Sequence, residues 1–119
     1  MERTYFKEYL QKEIILFPCP FSDRTNSKIR PAIIISNNNY NKENEDVMVA
    51  PLTSKMQTKY SVKITNENIG AGQIAKTSEI RVDKITQIHK SLILTQIGIV
   101  EEKIMQEIRK KFIDLITNK

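Results

Sequence analysis

Apolar residues recur at helical spacing only near the C-terminal end of this chain, which limits the folds open to it. The stripe repeats at spacings of 3 and 4 and consists of Ile104, Met105, Ile108, Phe112, Leu115 and Ile116. That is the period of one helix face. Glutamates early in the segment and lysines later suit the helix dipole. We expect a helix over residues 100–116 as the last element.

The rest of the chain reads as short strands. Glu13 to Phe17 is an apolar run that we expect to end in a loop at Pro18, because proline has no N–H to donate. Ala32 to Ile35 is a continuous run typical of a strand buried on both faces. Val47 to Leu52 is another apolar run, and residues 60–64 alternate apolar and polar. Strands followed by one helix predict a mainly β (α+β), mostly antiparallel barrel or sheet.

Size and charge narrow the function classes. With 119 residues, we expect one domain over 1–119, in which 1–12 form an N-terminal extension. A chain this short often completes its core on a partner surface. The 19 Lys and Arg against 14 Asp and Glu leave a net charge of +5. This excess favours a polyanion or an acidic protein, and RNA, DNA and an acidic peptide all remain open.

The chain is poor in residues for metal or disulfide chemistry. Cys19 is its one cysteine and His89 its one histidine, so we expect no disulfide within the chain, no metal site and no cofactor. A two-histidine acid–base pair is excluded as well. Its apolar runs are far shorter than a membrane span, and the N-terminus lacks the apolar run of a signal peptide. We therefore expect a cytoplasmic protein without membrane contact.

Two segments place a reactive type of side chain at the border of an apolar strand. Arg30 precedes Pro31 and the strand from Ala32, and Thr53 follows the strand from Val47. If these strands form an antiparallel pair, Arg30 and Thr53 share one end of the sheet. A guanidinium beside a hydroxyl suits a phosphodiester, since the planar fork donates to two phosphate oxygens. From spacing alone, a solvated charge and a turn former remain the alternative.

The surrounding sequence resembles the MazF/PemK family of toxin–antitoxin ribonucleases. The resemblance covers most of the chain and rests on Phe17 to Asp23, Lys28 to Ser36, Tyr40, Asn41, Val49 to Ser54, Ser78 to Arg81, Lys84 to Ile88, Lys90, Ile97 and Gly98. The most specific part of the resemblance is the combination of Arg30-Pro31 before an aliphatic strand with Thr53-Ser54 after the next strand.

The resemblance implies an SH3-like, bent antiparallel barrel of the CcdB/MazF type with a C-terminal helix, and a homodimer in the bacterial or archaeal cytoplasm. It implies a toxin that inhibits translation by cleaving single-stranded RNA, mRNA included, at specific sequences without a metal. The RNA 2′-hydroxyl attacks the adjacent phosphorus and leaves a 2′,3′-cyclic phosphate and a 5′-hydroxyl. Arg30 and Thr53 map to the catalytic pair. A small acidic antitoxin occupies the RNA groove, and binding to DNA together with the antitoxin is expected.

Further RNA-binding candidates lie near these motifs. They are Lys28, Ser54, Lys55, Lys76, Ser78, Arg81 and Phe21. Lysines near the pair could contact phosphates, although scattered lysines usually only solvate a surface. Ser78 and Arg81 could instead be a turn hydroxyl and an exposed charge. Phe21 could stack on an unpaired base, although core packing is the more common fate of a phenylalanine.

The chain departs from the family pattern in places, and other functions on this fold stay open. Lys12 stands where the family often has Gly before the first strand, and Thr86 stands where many members carry a basic residue. One alternative function is a non-catalytic toxin that resembles CcdB and traps DNA gyrase. Another is a relic that binds RNA without cutting it.

Overall fold

The structure is a computed structural model that describes residues 8–20, 27–56 and 59–119. Within these ranges the chain forms eight strands and two α-helices. The strands are β1 Glu13–Pro20, β2 Ser27–Ile34, β3 Asp46–Thr53, β4 Ser61–Ile64, β5 Ile69–Gly72, β6 Ser78–Arg81, β7 Thr86–His89 and β8 Thr95–Val100. The helices are α1 Asn38–Glu43 and α2 Glu102–Ile116. The predicted C-terminal helix is present and begins at Glu102.

All the strand pairs are antiparallel, and the sheet runs in the order β4-β6-β3-β2-β1-β8-β5, with β7 also pairing β3. Strand β3 changes partner along its length: Asp46 to Val49 pair with β7, and Leu52 and Thr53 pair with β6. A strand that leaves one neighbour for another must bend, so the sheet curls.

The curled sheet buries apolar residues on both faces. We call one cluster the helix-side core; it contains Ile14, Ile33, Ala50, Leu52, Val62, Ile64, Ile80 and the α2 residues Ile104, Met105 and Ile108. The strand-side core contains Ile15, Phe17, Ala32, Ile34, Val47, Val49, Ile88 and Ile93. Successive β2 residues therefore alternate between two cores. This confirms the prediction that the run from Ala32 is buried on both faces.

Two local predictions differ from the structure. Strand β1 continues through Pro18 to Pro20 instead of ending at Pro18. Among the described residues, β1 beyond Leu16 pairs only with β2, and an edge position tolerates proline because one side needs no N–H donor. The segment from Ser36 to Asp46, whose richness in asparagine predicts a polar turn, contains α1, whose N-cap Asn37 accepts a hydrogen bond from the Tyr40 N–H at 2.8 Å.

Strands β2 and β3 form a hairpin with two dissimilar ends. At the turn end, residues 35–45 connect the strands; at the open end, β2 begins and β3 finishes. Asn41 at the turn end is 2% exposed; its amide donates to the Ser36 carbonyl at 3.0 Å, and its Oδ1 contacts the Ser36 hydroxyl. The Met48 N–H donates to the Ser36 Oγ at 3.0 Å. These contacts fix α1 against the start of β3.

Lys12 precedes β1 beside the turn end in a left-handed conformation, with a φ of 83°. Its N–H donates to the Ile34 carbonyl at 2.9 Å, and its carbonyl accepts from the Val100 N–H at 3.0 Å. Residues with a Cβ rarely adopt this conformation, whereas glycine adopts it readily. Glycine would adopt this backbone conformation without strain, which explains why glycine suits the position that Lys12 occupies in this chain.

Candidate functional site at the open end of the hairpin

Arg30 and Thr53 lie at the open end of the hairpin. Ala32 pairs with Pro51, and the residues toward the turn continue in the same register. The same register, extended by two residues toward the open end, places Arg30 opposite Thr53. Strand β3 turns toward β6 at Leu52, so the two residues flank the place where the strands part. The antiparallel arrangement expected of these two strands is therefore present.

Both residues lie on the face of the sheet that carries the strand-side core. Arg30 pairs with Phe17 on β1, and directly opposite residues share a face. Phe17 belongs to the strand-side core and is 4% exposed, while Arg30 and Thr53 are both half-buried. The strand-side core therefore ends at polar side chains toward the open end. We call this border the polar rim, and a ligand can contact Arg30 and Thr53 there.

The register extends this polar rim across two more strands. Thr53 pairs with Glu79 on β6, and Glu79 pairs with Lys63 on β4. In the neighbouring row, Leu52, Ile80 and Val62 pair across the same three strands and belong to the helix-side core. Since neighbouring residues in a strand face opposite ways, Thr53, Glu79 and Lys63 share the outward face. We call this row the open-end row.

The Thr53 hydroxyl is oriented by its own turn. Its Oγ1 accepts a hydrogen bond from the Lys55 N–H at 3.1 Å. A hydroxyl that accepts in this way keeps its own proton for donation, so Thr53 can donate to an anionic oxygen placed above it. Ser54 and Lys55 follow it at exposed positions.

The other predicted binding residues divide between the two faces. Lys28 is exposed on β2, two residues before Arg30, and therefore on the same face. Ser78 pairs with Ile64, a helix-side core residue; it is 5% exposed, and its hydroxyl donates to the Lys76 carbonyl at 2.9 Å. Ser78 therefore does not share the surface of Arg30. Lys76 is exposed before β6, and Phe21 lies outside the described residues.

Arg81 lies on the face of the open-end row but is engaged locally. Its Nε and Nη2 donate to the two carboxylate oxygens of Asp83 at 3.0 and 2.9 Å. The hydrogen bond from Arg81 lowers the pKa of Asp83, and the same bond raises the pKa of Arg81. A fork–carboxylate pair of this kind fixes the guanidinium and leaves it less free to follow a ligand.

Three side chains of the rim were missing from the predicted site: Glu79, Lys63 and Ser61. The Ser61 hydroxyl donates to the Glu79 Oε1 at 2.9 Å. A partial signal was present in the sequence: apolar Ile80 and Val82 alternate with polar Glu79, Arg81 and Asp83, and apolar Val62 and Ile64 alternate with Ser61 and Lys63. This alternation marks an outward face but does not place it beside Thr53.

A cleft of about 1050 Å³ lies at the turn end, far along the hairpin from Arg30. Its lining includes Tyr9, Asn41, Glu45 and His89, and neither Arg30 nor Thr53 borders it. Within residues 8–20, 27–56 and 59–119, no group of three or more His, Cys, Asp and Glu is placed to hold a metal. Nor does any helix in these ranges have the length and apolar character needed to span a bilayer.

Comparison with known proteins gives a consistent picture. Residues 10–116 match the family model described as PemK-like, MazF-like toxin of type II toxin–antitoxin system. None of the curated protein sequences compared with the chain matches it.

Solved structures resemble the whole fold. MazF from Deinococcus radiodurans superposes with a TM-score of 0.75 at 16% identity, covering 93% of this chain and 98% of that one. A MazE–MazF complex from the same organism gives 0.75 at 16%, covering 92% and 97%. An endoribonuclease in complex with its cognate antitoxin, from a mycobacterial species, gives 0.69 at 18%, covering 93% and 99%. At these identities the likeness establishes the fold, and the predicted fold class is confirmed.

Proposed function

Because the chain belongs to the family of PemK-like, MazF-like toxins of type II toxin–antitoxin systems, we propose that it is a cytoplasmic endoribonuclease that cleaves single-stranded RNA and thereby inhibits translation. The observation that carries the proposal is the position of Arg30 and Thr53 at the open end of one hairpin, on one face of the sheet. A guanidinium and a hydroxyl on one rim match the two needs of a phosphodiester, charge neutralisation and directional hydrogen bonding.

The proposed reaction is an internal transfer at phosphorus. The 2′-oxygen of the RNA forms a bond to the adjacent phosphorus as its hydroxyl passes a proton to solvent, and the bond from phosphorus to the 5′-oxygen breaks as that oxygen takes a proton from Arg30, which solvent then reprotonates. The products are a 2′,3′-cyclic phosphate and a 5′-hydroxyl. The scheme consumes no water and calls for no metal and no cofactor.

Arg30 and Thr53 have separate roles in this scheme. A guanidinium stays protonated in proteins and is a poor base, so Arg30 chiefly stabilises the negative charge that builds on the phosphoryl oxygens, and it also stands as the donor to the leaving oxygen. Thr53 holds one phosphate oxygen through its hydroxyl. Lys28 and Lys55, both exposed, contribute attraction to neighbouring phosphates, a contribution that weakens with salt.

Two protein partners complete the proposal. The first is an antitoxin, supported by the family match, by the mycobacterial endoribonuclease in complex with its cognate antitoxin and by the MazE–MazF complex from Deinococcus radiodurans. The net charge of +5 suits an acidic one. The second is another copy of this chain: Phe112, Ile113 and Ile116 on α2 are 37%, 59% and 66% exposed, and neighbouring apolar side chains on one helix suit an interface.

Cleavage of a long single-stranded RNA in EDTA tests the proposal. We expect wild type to cut at defined sequences, and the new ends to accept phosphate from a polynucleotide kinase without prior phosphatase treatment, as a 5′-hydroxyl does. Arg30→Ala should lower the rate by about 10²–10³-fold, the usual cost of removing one donor to a developing anion. Thr53→Val should lower it by less, and Thr53→Ser should restore most of it.

Arg109→Ala is the matched control for charge. Arg109 lies on α2, where it donates to Glu102 at 2.9 Å, so its loss removes one positive charge without touching the open end. Intact RNA with wild-type protein, or equal cleavage by Arg30→Ala, would overturn the proposal. Gyrase retained by the protein under the same conditions would then favour the CcdB-like alternative.

A further inference from the structure

Glu79 is an acidic side chain on the surface proposed to receive RNA. It pairs directly with Thr53 on one side and with Lys63 on the other. Directly opposite residues have Cβ atoms about 4.5–5.5 Å apart, so the Glu79 carboxylate stands beside the hydroxyl assigned to the scissile phosphate. A negative charge at this position opposes a phosphate, so Glu79 can favour RNA only through a part of the strand that donates hydrogen bonds.

The carboxylate is held in place rather than left to swing away. The Ser61 hydroxyl donates to the Glu79 Oε1 at 2.9 Å. Glu79 itself is half-buried, and its neighbour Ile80, 0% exposed in the helix-side core, anchors the strand on the other face. A short strand with one face in the core presents its outward side chains in fixed positions, which is the property needed for recognition.

The chemistry of a carboxylate defines what it recognises. An ionised carboxylate only accepts hydrogen bonds. In an RNA strand the donors near a phosphate are the 2′-hydroxyl, which every nucleotide carries, and the edges of unstacked bases, which differ between nucleotides and are read by side chains. Guanine offers two adjacent donors, its ring N–H and its amino group, which match the two oxygens. Cytosine and adenine offer one amino group each. Uracil has a single ring N–H between two carbonyl oxygens, which repel the carboxylate.

We infer that Glu79 is a specificity-determining residue of the open-end row and selects a base with an amino donor next to the scissile phosphate, in the order guanine, then cytosine or adenine, then uracil. This inference rests on the proposed function for the location of the phosphate. Lys63, exposed on the far side of Glu79, contributes charge to the same surface without selecting a base.

Selection from a random pool of 2′-O-methyl RNA tests the inference independently of cleavage, because the methyl group blocks attack by the 2′-oxygen. Wild type, Glu79→Gln and Lys63→Gln are each used to select from the pool, and the bound RNA is sequenced. For wild type we expect one position to favour guanine over uracil by about tenfold or more, the discrimination of a good bidentate contact. Glu79→Gln, equal in size, should lose most of this preference and bind RNA at least as tightly overall.

Lys63→Gln is the matched control from the same row. It should weaken binding to all sequences and reduce the dependence on salt, with the guanine preference retained. Thermal unfolding of all three proteins verifies that they are folded.

Cleavage of unmodified RNA by the same proteins separates the inference from the proposed function. An unchanged preference in Glu79→Gln, or no preference in wild type, would overturn the inference even if wild type cuts RNA. A guanine preference that Glu79→Gln removes, in a protein that fails to cut, would support the inference and contradict the proposed nuclease activity.

Discussion

The two ends of the β2–β3 hairpin use polar side chains in opposite ways. At the turn end, Asn41 and Ser36 are 2% and 7% exposed and satisfy each other and the backbone. At the open end, Arg30 and Thr53 are half-buried on the rim of the strand-side core. Both ends belong to the same two strands, so the difference arises from what each end packs against.

The comparison teaches that polar residues in this protein divide into two kinds. Those at the turn end are buried with their hydrogen bonds made, and they set the register of the strands. Those at the open end are half-buried where the apolar core stops, and water or a ligand can contact them. Variants at the turn end should therefore change stability, and variants at the open end should change activity.

The largest effect on stability is expected from Asn41→Ala. The change leaves the buried Ser36 carbonyl and hydroxyl without their partner, and an unsatisfied buried polar group costs about 1–3 kcal/mol. We expect the free energy of unfolding in urea to fall by about 2 kcal/mol, while cleavage per folded molecule stays the same.

Asn44→Ala is the comparison variant for that experiment. Asn44 is exposed, and its amide donates to the Tyr40 carbonyl at 3.0 Å, so its removal should cost less than about 0.5 kcal/mol. If both variants lose the same stability, or if Asn41→Ala abolishes cleavage while folded, the distinction between the two ends fails.

A smaller effect is expected from Asp83→Asn on the face of the open-end row. The hydrogen bond from Arg81 lowers the pKa of Asp83 below its ordinary value of 3.8, so the pair adds stability above that value and loses it as pH falls through the lower folded-state pKa. The variant should lose about 0.5 kcal/mol at pH 7, and the difference from wild type should vanish in acid.

Unfolding measured from pH 7 to pH 2 in Asp83→Asn, Arg81→Gln and the double variant isolates this pair. The Ser36–Asn41 contacts contain no ionisable group, so the loss caused by Asn41→Ala should not change over the same range. A coupling between Arg81 and Asp83 that is independent of pH would contradict the ion-pair interpretation.

The smallest effect is expected from Lys12→Gly beside the turn end. Glycine removes the conformational cost of a φ of 83° at position 12. Two effects offset part of this gain in stability: the unfolded chain becomes more flexible, and the 3.6 Å contact between Lys12 and Glu102 is lost. We expect a net gain of about 0.5 kcal/mol in thermal or urea unfolding. Lys12→Gln keeps the strained backbone and loses the charge, so a gain of equal size in that variant would count against backbone strain as the cause.

Much of the fold could be predicted from the sequence because its signals are local. The apolar run from Ala32 predicted a strand buried on both faces, and the stripe from Ile104 predicted α2. The segment that holds α1 has the composition of a turn, because five asparagines between Ser36 and Asp46 favour turns, while Asn37 in fact caps a helix. That outcome depends on long-range contacts that local sequence does not specify: the Gln11 N–H donates to the Asn38 Oδ1 at 2.9 Å, and the Gln87 amide donates to the Tyr40 hydroxyl.

The candidate site could be predicted only where the sequence indicates which strands are neighbours. The proximity of Arg30 and Thr53 follows from the pairing of two consecutive strands in one hairpin. The neighbours of Thr53 on β6 and β4 depend on long-range pairing, so Glu79 was read only as part of a motif. Ser78 was proposed as a binding residue although its period-two relation to Ile80 already placed it on the core face.

The change of partner along β3 also has a consequence for how such a surface can diversify. The outward residues Thr53, Glu79 and Lys63 come from three different strands, and each strand is anchored by inward residues that a substitution outside leaves in place. If the proposed function holds, the row is a set of recognition positions that can be exchanged on a constant scaffold. We expect a library varied at Ser61, Lys63 and Glu79 to change the RNA preference without redesigning the fold.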